Sequence, residues 1–353
     1  MSFAKRTLLF SLISLPYSCF AGAQDSSGLA EHIETIVSAK PIERVNPEYP
    51  RSAAMKGQEG WSRISFVIDK EGNVVDPVVM DSSGLRVFDK AALETAKKWK
   101  YSPAMQDGQA IEQCQVSVQM DFMLQKQQGV TRKFKVKYKQ ITEAISDNQL
   151  EQAALMLEQL GNSQLWNHSE SAFYYLADSI YAQKINDSQR ELTSVNRALF
   201  STKEALDNNW QLYLLERQFV LNLAQHKYLP ALVSFNTLSK ASDNQAVLAK
   251  LSPYAQQLEQ LIKSTEPLSM KAKIHSEGQF YHQLSRDKFA LFIDQGELDE
   301  VEIRCANKRS RFTVADGNEW QIPQSWGECT LFVTGTPDTQ FNIVETGAYV
   351  GQI

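Results

Sequence analysis

Residues 111–124 read IEQCQVSVQMDFML. Cys114, Val116, Val118, Met120, Phe122 and Leu124 fall on one face of an extended chain, and Gln113, Gln115, Ser117, Gln119 and Asp121 on the other. Alternation of this kind marks a β-strand with one side against a core and one side in water. Cys114 then reads as an inert core thiol, because a reactive cysteine needs an exposed, electropositive setting. Upstream, Asp107-Gly108 makes a turn. Before it, Phe88, Ala92, Ala96 and Trp99 recur at helical spacing, with Lys97, Lys98 and Lys100 placed to favour the helix C-terminal dipole and Tyr101-Ser102-Pro103 ending the helix. Further upstream, Ile64, Phe66 and Ile68 alternate as a strand, Asp69 to Asn73 turn the chain, and Val74 to Met80 return as an apolar second strand. The opening NPEYPRSAAMKGQEG places Pro50 at the start of a short helix that Gly57 can end in a left-handed conformation. The region from Pro41 to about residue 126 is thus strand, strand, helix, strand, with the helix docked on one face of the sheet.

Outward from this module the periodicity changes twice. Residues 131–265 carry apolar side chains at helical spacing, broken near Gly161-Asn162, Asn186-Asp187 and Asp207-Asn208-Asn209, which predicts antiparallel helix pairs. DNQLEQAALMLEQL and QHKYLPALVSFNTL match in form, with Ala153, Leu157 and Leu160 answering to Ala231, Phe235 and Leu238. Both resemble the second helix of a tetratricopeptide repeat, with an ordinary helical bundle as the alternative. The basic run Arg132 to Lys139 fits a helix through Phe134, Tyr138, Ile141 and Ile145, with its lysines on a solvated face. A solenoid of helix pairs exposes a concave surface, so a protein partner, unidentified, is expected there. Residues 268–353 alternate with period two between Asp, Gly and Pro turns, as in KFALFID, EVEIRC, SRFTV, CTLFVTG and FNIVE, and predict a small antiparallel sandwich or barrel. Cys305 and Cys329 flank strand-like segments of this region and are paired as a disulfide, leaving Cys114 free.

At the N-terminus Lys5 and Arg6 precede a short apolar stretch ending in Ala21-Gly22-Ala23, the pattern of a secretory signal peptide over residues 1–23. Residues 24–40 are expected to be a lead, and the mature protein to be periplasmic; the alternative is an inner-membrane anchor made by residues 7–23. Formal charge is -5, and losing Lys5 and Arg6 with the signal takes it to -7, which argues against nucleic acid as a partner.

Tyr49-Pro50, Gly60, the Ile64/Phe66/Ile68 alternation with Asp69 and Gly72, Ser82-Ser83-Gly84, Asp89 with Ala91-Ala92, Trp99, Tyr101, Pro103 and the final strand form an ordered set. This set resembles the C-terminal domain of TonB, the energy transducer of the Gram-negative envelope. The resemblance implies a two-layer ββαβ domain that binds the TonB box of TonB-dependent outer-membrane receptors by adding the peptide as a strand to a sheet edge. It places that peptide at Gln113, Gln115, Ser117 and Gln119 of the last strand, with Asn46, Pro47, Glu48, Tyr49 and Pro50 nearby. It also implies a link to the ExbB/ExbD motor system, yet the retained membrane helix and Pro-rich spacer of a transducing member are not evident here. On the residues alone, Tyr49-Pro50 reads equally as a rigid entry turn whose ring covers the sheet.

Catalysis finds no support in the motifs. There is no His-Glu-x-x-His helix, Gly-x-Ser-x-Gly elbow, phosphate-binding Gly-Lys-Ser/Thr loop or Cys-x-x-Cys pair. His32, His168, His226, His275 and His282 are scattered; only His275 and His282 are near each other, and these two read as surface residues rather than a metal site, with Asp299-Glu300 in a turn. No cofactor or metal is expected. The fold class is therefore α+β multidomain: the TonB-like domain, a helical repeat-like region, then a small antiparallel β domain. The function expected is peptide binding accessory to TonB-dependent transport, and the rival readings are a scaffold built on the helices or, with a retained anchor, a true transducer.

Overall fold

A computed structural model describes residues 36–124, 129–163, 167–201, 205–241 and 245–350. The segment expected to be a signal peptide, and the lead as far as residue 35, lie outside them. In chain order the first region contains β1 (Ile36–Val37), β2 (Lys40–Glu43), α1 (Arg51–Met55), β3 (Gly60–Ile68), β4 (Val74–Ser82), α2 (Arg86–Ala96), β5 (Lys100–Ser102), β6 (Ala104–Gln106), β7 (Gln109–Ile111) and β8 (Gln113–Phe122). Its main sheet runs β4-β3-β8, antiparallel throughout. Ile64, Phe66 and Ile68 of β3 bury against Phe88, Ala92 and Ala96 of α2 and against Met120 and Phe122 of β8. The Phe88 and Phe122 rings stack at 4.5 Å. Each such side chain contributes about 1.5–3 kcal/mol on burial. The indole N–H of Trp99 donates to the Val45 carbonyl at 2.8 Å and closes the end of this core.

Three sequence expectations for this region are corrected. Residues 36–40 are not a detached lead, since β1 pairs with β6 and β2 with β5. Ile36 and Val37 stay about half exposed, so backbone pairing with little apolar burial holds them, and pairing of that kind leaves no hydrophobic period to read. The alternation in β8 breaks between Gln113 and Val116, where the register against Ile68 and Phe66 shifts in a bulge. Gln113 therefore lies opposite the core residue Ile68 and accepts from the Ala39 N–H at 2.8 Å, while Cys114 is buried outside the module's apolar core. Finally, the sheet is not the outer layer of a two-layer domain. Trp61, Ser65 and Val67, on the face of β3 away from α2, are buried too.

What covers that face begins with the helices α3 (Arg132–Ser146), α4 (Leu150–Ser163), α5 (His168–Lys184), α6 (Ser188–Ser201), α7 (Asn208–Ala224), α8 (Tyr228–Ala241) and α9 (Gln245–Lys263). The basic run is helical, with Phe134, Ile141 and Ile145 buried. Consecutive helices pack as the pairs α3/α4, α5/α6 and α7/α8. Each pair turns on a left-handed residue, Asn148, Asn186 and His226, with φ of 58°, 59° and 57°. In each turn the following N–H returns to the preceding helix: Gln149 to Ala144, Asp187 to Ala182 and Lys227 to Asn222. This is a repeated helix-capping device. At the end of α6, Phe200 lies 5.8 Å from the Trp61 ring and under the Arg63 guanidinium at 4.3 Å. Arg197 reaches Asp81 at 3.5 Å, and the Tyr175 hydroxyl donates to the Ser83 carbonyl at 3.1 Å.

The last region holds β9 (Leu268–Lys273), β10 (Gln279–Leu284), β11 (Arg286–Gln295), β12 (Leu298–Cys305), β13 (Arg309–Thr313), β14 (Glu319–Gln321), β15 (Cys329–Gly335) and β16 (Gln340–Tyr349). Two sheets, β10-β15-β12-β13 and β14-β11-β16-β9, share one apolar core, as a sandwich does. Cys305 and Cys329 are cross-strand neighbours in β12 and β15 and form a disulfide, and Cys114 is free and buried. Two readings fail here. Asp299-Glu300 lies in β12, not in a turn, and His282 is buried, its Nε2 2.7 Å from the Glu345 carboxylate. His168 is buried as well. Local sequence missed these because the partners are far along the chain.

Candidate functional site

An antiparallel sheet that ends on β8 leaves that strand one side on which a further strand could pair. Along the strand Gln115, Ser117 and Asp121 are exposed, while Gln113, Val116, Val118 and Gln119 are half-buried. The two ends of the edge are held by other parts of the chain. At the start, the Cys114 N–H donates to the Ala306 carbonyl at 3.0 Å, in the turn between β12 and β13. The Gln115 side-chain amide donates to the carbonyls of Arg304 at 2.8 Å and Glu328 at 3.2 Å. At the far end, the Gln119 amide donates to the Phe200 carbonyl at 3.2 Å. Asp121 lies 3.4 Å from Nε2 of His168. Burial alone would raise the Asp121 pKa, but the contacts with His168 and Gln119 outweigh it and hold the carboxyl below its usual range. Glu59 ties this end further, accepting from the Leu124 N–H at 2.7 Å and from the His168 N–H at 3.0 Å in the first turn of α5, where a negative charge meets the helix dipole.

Between these anchors lies Val116–Val118, three residues or about 10 Å of strand. Ser117 at its centre is exposed and pairs across to Ser65 of β3.

The 46–50 segment is placed elsewhere. Tyr49 packs its ring edge-on to Phe88 and Phe122, 5.8 and 6.1 Å away, and its hydroxyl donates to the Gln58 carbonyl. Burial, with Glu59 adding to it, pushes the phenol up to about 12. Tyr49 is thus an entry turn packed on the core, and Pro50 caps α1. Asn46 and Glu48 are exposed and Pro47 is half-buried. Through the Tyr49–Phe122 contact, this segment sits at the C-terminal end of β8, so the structure does not bring it beside Gln113 and Gln115.

Sequence reading missed a charge cluster beside the start of β8. Arg309 of β13 is paired with Asp76 of β4 and reaches Glu112 through two bonds of 3.2 Å. Arg311 lies 2.8 Å from Asp76 and 3.3 Å from the buried Glu302. Burial raises the Asp76 pKa, but Arg309 and Arg311 together bring it below the ordinary carboxylate value. Cys114 lies within this cluster; burial first, then Glu112, pushes its thiol up to about 12. A signal was present: Glu300, Glu302 and Arg304, then Arg309 and Arg311, recur at period two, as charges on one face of a hairpin must.

A small antiparallel sheet, one helix against it, and an edge strand with a short open stretch define the class as a small α+β module with an edge on which a further strand could pair. Residues 45–124 match the family model described as the Gram-negative bacterial TonB protein C-terminal, and this part of the chain is a TonB C-terminal-type domain. Protein TonB of Vibrio cholerae is 40% identical over 65 residues, which cover 18% of this chain and 27% of that protein. Protein TonB of Pseudomonas aeruginosa is 30% identical over 91 residues, covering 26% of this chain and 27% of that protein. The chain thus spans about a quarter of the length of the curated relatives it matches. The solution structure of the Pseudomonas aeruginosa TonB C-terminal domain is 28% identical, covering 26% of this chain and 91% of that one with a TM-score of 0.24.

Proposed function

We propose that this protein is a binding protein of the TonB system, which takes an extended receptor peptide, the TonB box, as an added strand on β8. The reading is carried by one observation: in a TonB C-terminal-type domain, β8 ends the sheet and keeps Val116–Val118 open between its two anchored ends. Backbone groups along such an edge supply affinity, and flanking side chains such as Gln115 and Ser117 supply selectivity. The protein acts in the periplasm as an accessory to TonB-dependent transport, alongside the ExbB/ExbD-linked machinery. Among the described residues no helix is long and apolar enough to cross a membrane.

The test is titration of the full mature chain with a synthetic TonB-box peptide, following amide hydrogen exchange. Val116 to Gln119 gain protection if the peptide pairs with β8, and Ser117→Pro abolishes binding while the helical far-UV signal is kept. Protection confined to other strands, or unchanged binding by the proline variant, rules out this edge.

A second reading is favoured by the burial of Trp61, Ser65 and Val67 on the face of β3 away from α2, where Phe200 of α6 packs on Trp61. On it the module is an adaptor that fixes the helical array, and partners bind the array instead. Peptide binding that survives every change in β8 but is lost with changes in the helices would favour it.

A further inference from the structure

The hairpin β12–β13 occupies one end of the edge that strand addition requires. The bond from the Cys114 N–H to the Ala306 carbonyl is a backbone-to-backbone bond across the edge, the kind an incoming strand makes. Gln115 is spent on the carbonyls of Arg304 and Glu328. Behind these bonds stand Arg309 on Asp76 and Glu112, and Arg311 on Asp76. All of these contacts join the sandwich to the module, across more than 180 residues of sequence. Only about 10 Å of edge is left open, enough for three residues of a partner strand.

We propose that β12–β13 is an intramolecular latch: it competes with the receptor peptide for the start of β8, and full strand addition requires the Arg309/Arg311 clamp to release. This rests on the peptide-docking reading above. The latch explains why the clamp is ionic and only partly buried. Arg309 is 24% and Asp76 37% exposed at the side chain, so water can replace either partner at small cost. An apolar contact of the same area would hold the edge closed more permanently. Ala306 and Lys308 of the β12–β13 turn are open to solvent and β13 is the edge of its sheet, while Val301, Ile303 and Cys305 keep β12 in the sandwich core, so release is a movement of the turn and of β13 alone.

Cys114 reports the latch directly. It is fully buried, and its thiol is held protonated, so alkylation requires the hairpin to move. Two full-length variants weaken the clamp by different routes. Arg309→Gln removes the shared cation. Asp76→Asn removes the shared anion while keeping the left-handed backbone at φ 47, which asparagine tolerates.

Alkylation of Cys114, read by mass spectrometry on its peptide, and exchange of its amide should each accelerate about tenfold in both variants, the combined effect of two partly exposed pairs. Binding of the synthetic TonB-box peptide should tighten by a similar factor. Unchanged Cys114 reactivity in both variants overturns the latch. Faster Cys114 chemistry with unchanged peptide affinity overturns its control of binding. If no peptide binds to either variant or to the parent while Cys114 opens, the docking reading has failed and the proposed control falls with it, whereas a parent that binds isolates any failure to the latch.

Discussion

Gly57 and Gly72 hold the same left-handed backbone, with φ of +65° and +79°, yet they predict different costs for a side chain. The conformation alone costs about 1 kcal/mol when glycine becomes alanine. At Gly57 a Cβ would meet nothing within 4 Å, so Gly57→Ala should lose about that amount and no more. At Gly72 the Cβ would fall 1.9 Å from the Tyr101 carbonyl oxygen, an overlap that something must relieve. That carbonyl is not free to move. The Tyr101 N–H donates to the Gly72 carbonyl at 2.9 Å, the Tyr101 ring is part of the core, and its hydroxyl accepts from Arg44 at 2.7 Å. Overpacking of this kind adds about 1–3 kcal/mol, so Gly72→Ala should cost about 2–4 kcal/mol in all. Asparagine separates the two contributions, because it tolerates the left-handed region but still carries a Cβ. Gly57→Asn should recover most of the loss, and Gly72→Asn should recover little. Amide exchange in β3 of the full chain is the assay, since a chain of several regions has no single two-state unfolding energy. Equal losses at the two glycines, or rescue by Gly72→Asn, would refute the close approach of Tyr101.

Asp76 makes the interface acid-sensitive. Its pKa is lower in the folded chain than the usual value near ~3.9, so its contribution is complete above that value and is lost as pH falls through the lower folded one. Exchange at the Cys114 amide, corrected for its intrinsic pH dependence, should therefore accelerate as pH falls below about 4, and Asp76→Asn should flatten that response. Removal of the Cys305–Cys329 bridge by paired alanines frees a loop with a sequence separation of 24 and should cost about 3.5 kcal/mol, visible as a lower melting temperature of the sandwich. Phe200→Ala strips the layer over Trp61 and Arg63 and should cost about 2 kcal/mol, with a red shift of tryptophan emission; an unshifted spectrum would mean that the helices do not cover that face.

The elements legible in the sequence were those whose side chains bury against near neighbours in the chain. The helix of Phe88, Ala92 and Ala96, the strand of Ile64, Phe66 and Ile68, and the disulfide within one sheet each carry their own period or spacing. The match of Ala153 to Ala231, 78 residues apart, reappears in the turns, where Asn148 and His226 are also 78 apart and Asn186 stands between them. What local reading could not supply was the destination of the second face of β3. Trp61 and Val67 stand in the run GWSRISFVI, which is too apolar for a half-wet strand. A near-continuous apolar strand is the signature of a sheet covered on both sides. Arg63 interrupts it because its guanidinium lies over the Phe200 ring and reaches Tyr281 of the sandwich rather than a plain aliphatic layer.

The same limit applied to the docking edge. Gln115 and Gln119 look alike in sequence, as polar residues on the wet face of a strand, and each donates to a backbone carbonyl of a different part of the chain. A glutamine amide on an edge strand can answer an incoming peptide or an intramolecular carbonyl with equal chemistry. Which one it meets is decided by the loop that reaches it, and the loop's reach is set by long-range packing. The clamp carries the more specific information, because two arginines at period two on β13 must find carboxylates at matching height, and Asp76 near the start of β4 and Glu112 between β7 and β8 provide them. An edge strand left bare invites pairing with any extended chain. On the proposed reading, a partly exposed ionic latch over one end, with three residues open beyond it, would limit that pairing to a peptide able to displace the hairpin, and the clamp would then set selectivity as well as closure.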